Sequence, residues 1–195
     1  PDFYWMFQPD LFSEDEKDRV NAFDWQKAFP EAFADDGFDC VIGNPPYVKL
    51  QNFRRVYDKV AEYLVNANRA DGTPLYASTQ SRNFDLYLPF IEKAVSLLNK
   101  NGRMGIIAPN VWMVNEYGAP LRNLLRSTRQ LDRWLDFKSF QIFDEATTYT
   151  ALQFFSGAPN ETLQCAFAPD GDVSHIDWCS PEAVISYEEL PENTP

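Results

Sequence analysis

The sequence contains few of the residues that build metal centres and disulfide frameworks. Its 195 residues include 3 cysteines and 1 histidine. Cys40, Cys165 and Cys179 are scattered along the chain without a CxxC pair, and His175 stands alone. A disulfide-stabilised fold and a zinc site are therefore not expected, and a reducing, intracellular compartment is the default for this chain.

Long apolar runs are absent as well. No stretch approaches the roughly 18 consecutive apolar residues of a membrane span, so no transmembrane helix is expected. The first residues, PDFYWMF, have no basic region before an apolar stretch and do not form a signal peptide. Hydrophobic residues still make up 45% of the chain and aromatic residues 15%, which is enough for the core of one domain.

Basic residues are scarce overall but unevenly distributed. There are 17 Lys and Arg against 29 Asp and Glu, giving a net charge of −12. Residues 1–40 hold 3 basic and 11 acidic residues, and residues 160–195 hold 8 acidic and no basic residues. The middle, 41–159, holds 14 basic and 10 acidic residues. An acidic chain argues against non-specific nucleic-acid binding, but the basic middle leaves such binding open, with solvated faces as the alternative.

Short, nearly continuous apolar runs predict the strands of a sheet. The run FDCVIG at 38–43 ends at the sequence Asn-Pro-Pro, which is typical of a strand buried on both faces in a parallel sheet. Two further runs lie at 103–109 and 131–137. The segments 148–155 and 163–168 flank the turn-rich sequence SGAPNET and predict a hairpin.

The helical spacing of apolar residues predicts three helices, at 53–66, 84–98 and about 119–127. Gly102 is predicted to cap the second helix in a left-handed conformation. Asp85 is either a cap at the start of that helix or a functional carboxylate. Strands that alternate with helices, followed by a hairpin, indicate an α/β fold with a mostly parallel sheet and a C-terminal antiparallel hairpin.

Four residues at the end of the first predicted strand carry the strongest chemical signal. Asn44-Pro45-Pro46-Tyr47, here called the NPPY turn, directly follows 38–43, and ligands of open α/β sheets bind beyond the carboxyl ends of the strands. Pro45 and Pro46 have no backbone N–H, and their rings restrict the backbone around them. The turn therefore offers rigid acceptors, namely the Asn44 side-chain carbonyl and backbone carbonyls, beside an aromatic ring.

Rigid acceptors suit a planar –NH₂ group, which has two hydrogens to donate. An amine conjugated to a ring or carbonyl is a poor nucleophile, because its lone pair is delocalised. Two acceptors placed off its plane favour tetrahedral nitrogen and return the lone pair to it, without a metal or an acid–base pair. Tyr47 could stack on the ring that bears the amine. The alternative is a proline-rich turn in which Asn44 bonds its own backbone.

The sequence resembles the amino-methyltransferases that carry an NPPY motif, in particular the adenine-specific DNA methyltransferase domains of type IIG-like restriction–modification enzymes. The resemblance covers roughly residues 20–156, in the family's order. The matching segments are FDWQKAFPEAF (23–33), GFDCVIGNPPYV, DLYLPFIEKAVSLLNKNGRMGIIAPNVW (85–112), YGAPLRNLL (117–125) and DFKSFQIFDEATTYTALQFF (136–155). The resemblance implies a Rossmann-like methyltransferase sheet in a cytoplasmic enzyme of a bacterium or archaeon.

The resemblance also implies a reaction: transfer of a methyl group from S-adenosylmethionine to the N6 amine of adenine in duplex DNA, without a metal. Asn44 and the Pro45 carbonyl would hold the amine in the turn that Pro46 and Tyr47 complete. Tyr47 would stack on one face of a base flipped out of the duplex, and Phe143 would stack on the other. The residues implied to contact the cofactor are Asp24, Trp25, Asn44 and Phe90.

Each of these roles has a structural alternative. Trp25 and Phe90 could instead be core aromatic residues. Three other aromatic residues lie within 134–140, and one of them could take the role given to Phe143. Basic residues that follow the NPPY turn could contact DNA phosphates or form a solvated helix face. The candidates for DNA contact are Lys49, Arg54 and Arg55.

The sequence departs from the family in having no glycine-rich cofactor loop. Among its 8 glycines, Gly102 and Gly105 form the nearest pair. The chain is therefore expected to be a fragment without the N-terminal strands of the sheet. Residues 1–170 would form part of the catalytic domain and residues 171–195 an acidic linker toward a missing target-recognition region.

Alone, such a fragment is expected to be inactive and to bind the cofactor poorly. Its partners would be duplex DNA with a flipped adenine and the rest of the parent polypeptide. That remainder would supply the cofactor loop, the target-recognition domain and, in some parents, a nuclease. The DNA recognition sequence does not follow from these residues, because base-edge contacts would come from another region.

Two other functions stay open. Planar amines also occur in RNA and in protein glutamine side chains, so that an amino-methyltransferase could act on either, although the basic insertion between Tyr47 and Asp85 favours DNA. A catalytically silent DNA-binding subunit with a vestigial pocket is the other alternative. The intact NPPY turn and the match at Phe143 argue against it.

Overall fold

The structure, a computed structural model, describes residues 23–143 and 148–190, in which helices pack against one mixed sheet. The strands are β1 (Phe38–Gly43), β2 (Leu98–Pro109), β3 (Leu131–Asp136), β4 (Thr150–Ser156), β5 (Thr162–Phe167) and β6 (Ala183–Ser186). The α-helices are α1 (Trp25–Ala28), α2 (Pro30–Ala34), α3 (Leu50–Arg54), α4 (Asp58–Asn66), α5 (Tyr87–Ser96) and α6 (Ala119–Thr128). Short 3₁₀ helices cover Ala77–Thr79, Val111–Met113 and Glu116–Gly118.

The strand order across the sheet is β1-β2-β4-β3-β5-β6. β1 pairs with β2, and β3 with β5, in parallel. β4 runs antiparallel to β2 and β3, and β6 runs antiparallel to β5. β1, β2, β3 and β5 therefore point in one direction, and β4 and β6 in the other. This confirms the predicted α/β class, with a mostly parallel sheet and antiparallel strands in its C-terminal part.

The pairing within that C-terminal part differs from the prediction. The segments 148–155 and 163–168 contain β4 and β5, but β3 lies between these two strands, so they do not form a hairpin with each other. β3 is largely buried, and its backbone groups need a partner strand on each edge. β4 supplies one partner and β5 the other. The antiparallel partner of β5 is β6.

β1 also differs from the prediction of a strand buried on both faces. Within the described residues it pairs only with β2 and lies at the edge of the sheet. Val41 packs against the main core, whereas Cys40 and Ile42 on the other face are exposed, Ile42 to 86%. The apolar run reflects one buried face and one that the described residues leave uncovered.

Helices α5 and α6 pack with one face of the sheet in a single hydrophobic cluster. Ile91 of α5 and Leu121 of α6 are fully buried in it, together with Trp112. The indole N–H of Trp112 donates to the side-chain oxygen of Gln153 at 3.3 Å. The Gln153 amide donates in turn to the carbonyl of Ala108 at 3.2 Å. This buried polar link fixes the end of β2 against β4.

Two predictions about the helices are wrong. The segment 53–66 is not one helix but contains the end of α3 and the whole of α4, because the chain leaves the helical conformation at Tyr57. Val56, which lies between the two helices, is 72% exposed. Gly102 is not a left-handed cap, since α5 ends at Ser96 and Gly102 lies inside β2. Glycine is needed there for space: a Cβ would lie 2.5 Å from the carbonyl oxygen of Phe38. The other two predicted helices correspond to α5 and α6.

The segment after residue 170 contributes to the sheet. β6 lies in it, and the buried Tyr187 donates a hydrogen bond from its hydroxyl to the carbonyl of Leu131 at 2.6 Å. The connection from this segment to a target-recognition region stays a prediction, and residues 191–195 lie outside the described residues. Across the described part of the chain, no helix has the length and apolar character to span a membrane.

We expect Gly102→Ala to weaken the pairing of β1 with β2. The new Cβ would force the carbonyl of Phe38 away and lower the free energy of unfolding by about 1–3 kcal/mol. Gly105→Ala in the same strand is the matched control, because its Cβ would meet Phe154 at an ordinary 3.5 Å. Urea denaturation measures both variants, and equal stabilities would contradict the described packing.

Candidate active site

The NPPY turn lies at the carboxyl end of β1, directly after Gly43. Asn44 and Pro46 are exposed, and Pro45 and Tyr47 are partly buried. The turn therefore leaves the sheet with its asparagine accessible to a ligand.

Hydrogen bonds of Tyr47 and of the residues directly after it hold the turn in place. The Tyr47 hydroxyl donates to the backbone carbonyl of Ile107 in β2, at 3.1 Å. The next residue, Val48, accepts at its carbonyl from the N–H of Leu86, at 2.8 Å. Two residues later, the N–H of Leu50 donates to the carbonyl of Phe84, at 2.9 Å. The turn is thus fixed both to the sheet and to the segment that leads into α5.

Tyr47 carries a neutral phenol at physiological pH. Its ordinary pKa of 10 already lies above that pH, and burial raises the pKa of Tyr47 to about 12. A neutral phenol that already donates to a backbone carbonyl is not suited to act as a general base. The chemistry available to Tyr47 is that of an aromatic ring with a fixed orientation.

A cavity of about 970 Å³ lies beside the turn and is lined by residues of β1, β2, α3, α4 and α5. Pockets for small ligands range from roughly 300 to 1,000 Å³, so this volume suits a cofactor-sized molecule. Several of the predicted site residues come together here. They are Trp25, Asn44, Pro45, Pro46 and Phe90.

The two aromatic residues predicted to contact the cofactor occupy different environments. Trp25 packs edge-on against Phe23 and Phe38, with ring centroids 4.9 and 5.9 Å apart, and stacks on Phe29. Phe90 lies on α5, remains 53% exposed and lines the cavity. A side chain with this exposure does not belong to the core, so the core interpretation does not account for Phe90.

Asp24 has a local role that its sequence position did not indicate. Its carboxylate accepts a hydrogen bond from the Lys27 N–H at 3.0 Å and caps the N-terminus of α1. It is not among the residues that line the cavity. A contact between Asp24 and the cofactor remains a prediction.

The second predicted stacking residue lies apart from the cavity. Phe143 is partly buried and directly precedes residues 144–147, which lie outside the described residues. Neither Phe143 nor the ring of Tyr47 lines the cavity. The pairing of these two rings around a base is therefore not seen in this structure and stays a prediction.

The basic residues after the turn are exposed, as a phosphate contact or a solvated face would require. Lys49 directly precedes α3, and Arg54 and Arg55 lie at its end. Arg54 is 4.0 Å from the carboxylate of Asp58, a weak pair on an exposed surface. These cations remain available to an anionic partner.

Asp85 does not cap the helix that follows it. α5 begins after Leu86, and no side chain caps it. Asp85 instead forms an isolated β-bridge with Lys49, through the backbone. Burial raises the pKa of its carboxyl, and the charge of Lys49 partly opposes that rise.

Two tyrosines near the turn were not predicted as site residues from the sequence. The Tyr87 and Tyr117 hydroxyls lie 2.8 Å apart and share a hydrogen bond. The helical pattern indicates only that Tyr87 faces the core. A signal was present, however, because a phenol in a buried stripe needs a polar partner.

No cluster of His, Cys, Asp or Glu suited to a metal ion occurs within 23–143 and 148–190. The residues that line the cavity include Asn44, Cys40, Tyr76 and Lys93 among many apolar ones, rather than such a cluster. The arrangement can hold a ligand that donates hydrogen bonds beside a larger apolar wall.

The chain is similar to known methyltransferases of restriction–modification systems. A model of the family described as Eco57I restriction-modification methylase matches residues 5–143. The chain is 31% identical over 163 residues to the type II methyltransferase M.PaeR7I of Pseudomonas aeruginosa, which covers 80% of this chain and 25% of that protein. It is 29% identical over 142 residues to the type II restriction enzyme and methyltransferase RM.Eco57I of Escherichia coli, which covers 73% of this chain and 13% of that protein.

Among solved structures, the type IIL restriction-modification enzyme MmeI in complex with DNA shares the fold of this chain. The TM-score is 0.51 at 16% identity, over 71% of this chain and 18% of that chain. The chain thus spans a quarter or less of the length of each of these relatives.

We expect Asp85→Asn to stabilise the chain at neutral pH. A carboxyl whose pKa is raised by folding contributes stability at low pH, and that contribution is lost as the pH rises through the folded value. The gain of the variant over the wild type should therefore grow from pH 4, near the ordinary Asp value of 3.8, toward pH 7.

Urea denaturation across this pH range measures the difference. Glu62→Gln on the exposed side of α4 serves as the control and should show no such gain. A variant less stable than the wild type at pH 7 would mean that attraction between Asp85 and Lys49 outweighs the burial of the carboxyl.

Proposed function

Since the chain belongs to the Eco57I restriction-modification methylase family, we propose that it is part of an enzyme that methylates the N6 amine of adenine in duplex DNA, with S-adenosylmethionine as the donor. DNA methylation in a restriction–modification system is the general activity of this family. The adenine target, the cofactor and the participation of the remaining polypeptide are the finer points of the proposal.

One observation carries the proposal: the acceptor-rich, donor-poor NPPY turn and an apolar cavity with an exposed aromatic ring lie side by side. Asn44 and Pro45 line the same cavity as Phe90. An amine needs acceptors, and a flat heterocycle needs an apolar or aromatic surface. This cavity offers both at the carboxyl end of β1.

The residues of the turn have a specific task in this proposal. The side-chain carbonyl of Asn44 and the backbone carbonyl of Pro45 accept the two hydrogens of the target amine. Acceptors that are fixed in advance stabilise the tetrahedral nitrogen of the transition state more than the planar amine. Pro45 and Pro46 keep backbone donors away from this position.

The cavity is compatible with the proposed cofactor. Its volume of about 970 Å³ and its largely apolar lining can accept an adenosine moiety, with Trp25 and Phe90 as the aromatic contacts. S-adenosylmethionine would supply an electrophilic methyl group there. Asn44 borders the same space, so that residues for the cofactor and for the amine are neighbours.

The target base must leave the duplex to reach this turn, at a cost of a few kcal/mol. In the proposal, stacking on Tyr47 and Phe143 offsets part of that cost. Lys49, Arg54 and Arg55 are exposed in the segment that follows the turn and would contact phosphates of the flanking strand.

We expect Asn44→Ala, made in the complete polypeptide that carries this sequence, to abolish methyl transfer. Cofactor binding should stay nearly unchanged, because the proposed aromatic contacts of Trp25 and Phe90 with the cofactor remain. Loss of one fixed acceptor in the transition state should lower the rate by about 100-fold or more. The substrate is DNA that carries no methylation before the reaction. Mass spectrometry of its nucleosides after incubation with the enzyme measures N6-methyladenine.

The control for this prediction is Asn123→Ala on the exposed side of α6, which should retain full activity. Parallel assays on RNA and on glutamine-containing peptides separate the alternative substrates. Full activity of Asn44→Ala would refute the role of the turn. Absence of methyl transfer by the wild type would favour a silent DNA-binding subunit.

We expect Phe90→Ala to weaken S-adenosylmethionine binding by about tenfold, because the variant loses apolar contact with the ligand. Calorimetric titration of the complete polypeptide measures this affinity. Val56→Ala is the matched control, since Val56 is also an exposed apolar residue but does not line the cavity. Unchanged affinity of Phe90→Ala would remove Phe90 from the cofactor site.

A further inference from the structure

The ring of Tyr47 rests against a second tyrosine. Its centroid lies 6.3 Å from that of Tyr87, with the two ring planes at 80°. Edge-to-face contacts of this kind favour a defined relative orientation. The Tyr47 hydroxyl is held at the same time by the carbonyl of Ile107. The orientation of the Tyr47 ring is therefore restricted by two contacts, one with the Tyr87 ring and one between its hydroxyl and the Ile107 carbonyl.

Tyr87 is itself held in place. Its side chain is completely buried, with 0% exposure, at the start of α5. Its hydroxyl lies 2.8 Å from that of Tyr117, in the 3₁₀ helix Glu116–Gly118 that follows β2. Burial raises the pKa of both phenols, so the pair remains a neutral hydrogen bond at physiological pH.

A backbone hydrogen bond links the residues that neighbour Tyr47 and Tyr87 in the chain. Val48 follows Tyr47, Leu86 precedes Tyr87, and the N–H of Leu86 donates to the carbonyl of Val48 at 2.8 Å. A movement of the start of α5 would therefore move both tyrosine rings together. The Tyr87–Tyr117 bond ties this unit to the segment that follows β2.

On the basis of the proposed function, we propose that Tyr87 and Tyr117 are positioning residues: their shared hydrogen bond sets the orientation of the Tyr47 ring for stacking on the flipped base. Neither side chain needs to touch the substrate. Their effect passes through the ring contact between Tyr87 and Tyr47. A purely core-filling role would require the rings of the two residues but not their hydroxyls.

The test uses Tyr87→Phe, Tyr117→Phe and the double variant in the complete polypeptide. Each substitution keeps the ring and removes the hydrogen bond. The single-turnover rate of methyl transfer should fall about 3- to 10-fold in each single variant. The double variant should fall no further, since all three lack the same bond. The KM for S-adenosylmethionine should stay unchanged.

A spectroscopic measurement reports on the stacking itself. Methylated-base sequencing identifies the recognition sequence, and 2-aminopurine then replaces its target adenine. Stacking on an aromatic ring quenches the fluorescence of a flipped 2-aminopurine. Tyr87→Phe and Tyr117→Phe should therefore give a brighter signal than the wild type in the bound complex.

Tyr187→Phe is the matched control, because Tyr187 also loses one buried hydrogen bond, to Leu131, near the opposite edge of the sheet. It should lower thermal stability without changing the rate or the fluorescence. If Tyr87→Phe does not fold, Tyr117→Phe decides the matter, since Tyr117 is only partly buried.

Wild-type rates and fluorescence in Tyr87→Phe and Tyr117→Phe would overturn the positioning role alone, with the proposed function intact. A rate loss in Tyr187→Phe equal to theirs would also overturn it. If the wild type transfers no methyl group to DNA, the proposed function fails, and the positioning role fails with it.

Discussion

The candidate site depends on the hydrogen bonds that attach the NPPY turn, and the residues directly after it, to the rest of the chain. Two prolines stiffen the turn but remove the backbone donors at positions 45 and 46, so two of its four residues have no N–H with which to anchor it. The anchors come from outside: the carbonyl of Ile107 receives the Tyr47 hydroxyl, and the segment 84–86 pairs with residues 48–50. The same prolines that suit the turn to the proposed role of an amine acceptor thus make it dependent on β2 and on the segment before α5.

The position of β1 explains why one chain segment can carry both halves of the proposed chemistry. β1 lies at the edge of the described sheet, continues into the turn at its carboxyl end and lines a largely apolar cavity. Phe90 on α5 faces this cavity from the other side. The chain spans a quarter or less of the length of these relatives.

Local patterns in the sequence predicted the elements better than their partners. Apolar runs and helical spacing located β2, β3, α5 and α6, because those signals arise within one segment. The pairing of β5 with β3 and the edge position of β1 depend on residues far away in the chain. For the candidate site, the strand-end pattern predicted the NPPY turn and the family resemblance predicted Phe90, and residues of both line the cavity. The capping role of Asp24 and the Tyr87–Tyr117 bond could not be predicted, because each depends on a geometry that spacing alone does not define.

The most direct test of the account is the location of the target amine in a structure of the complete polypeptide with duplex DNA and a cofactor analogue that has no transferable methyl group. The account predicts the amine nitrogen of a flipped adenine within about 3 Å of both the Asn44 side-chain carbonyl and the Pro45 backbone carbonyl. An amine held by other groups, with the Asn44 side chain bonded to its own backbone, would contradict it.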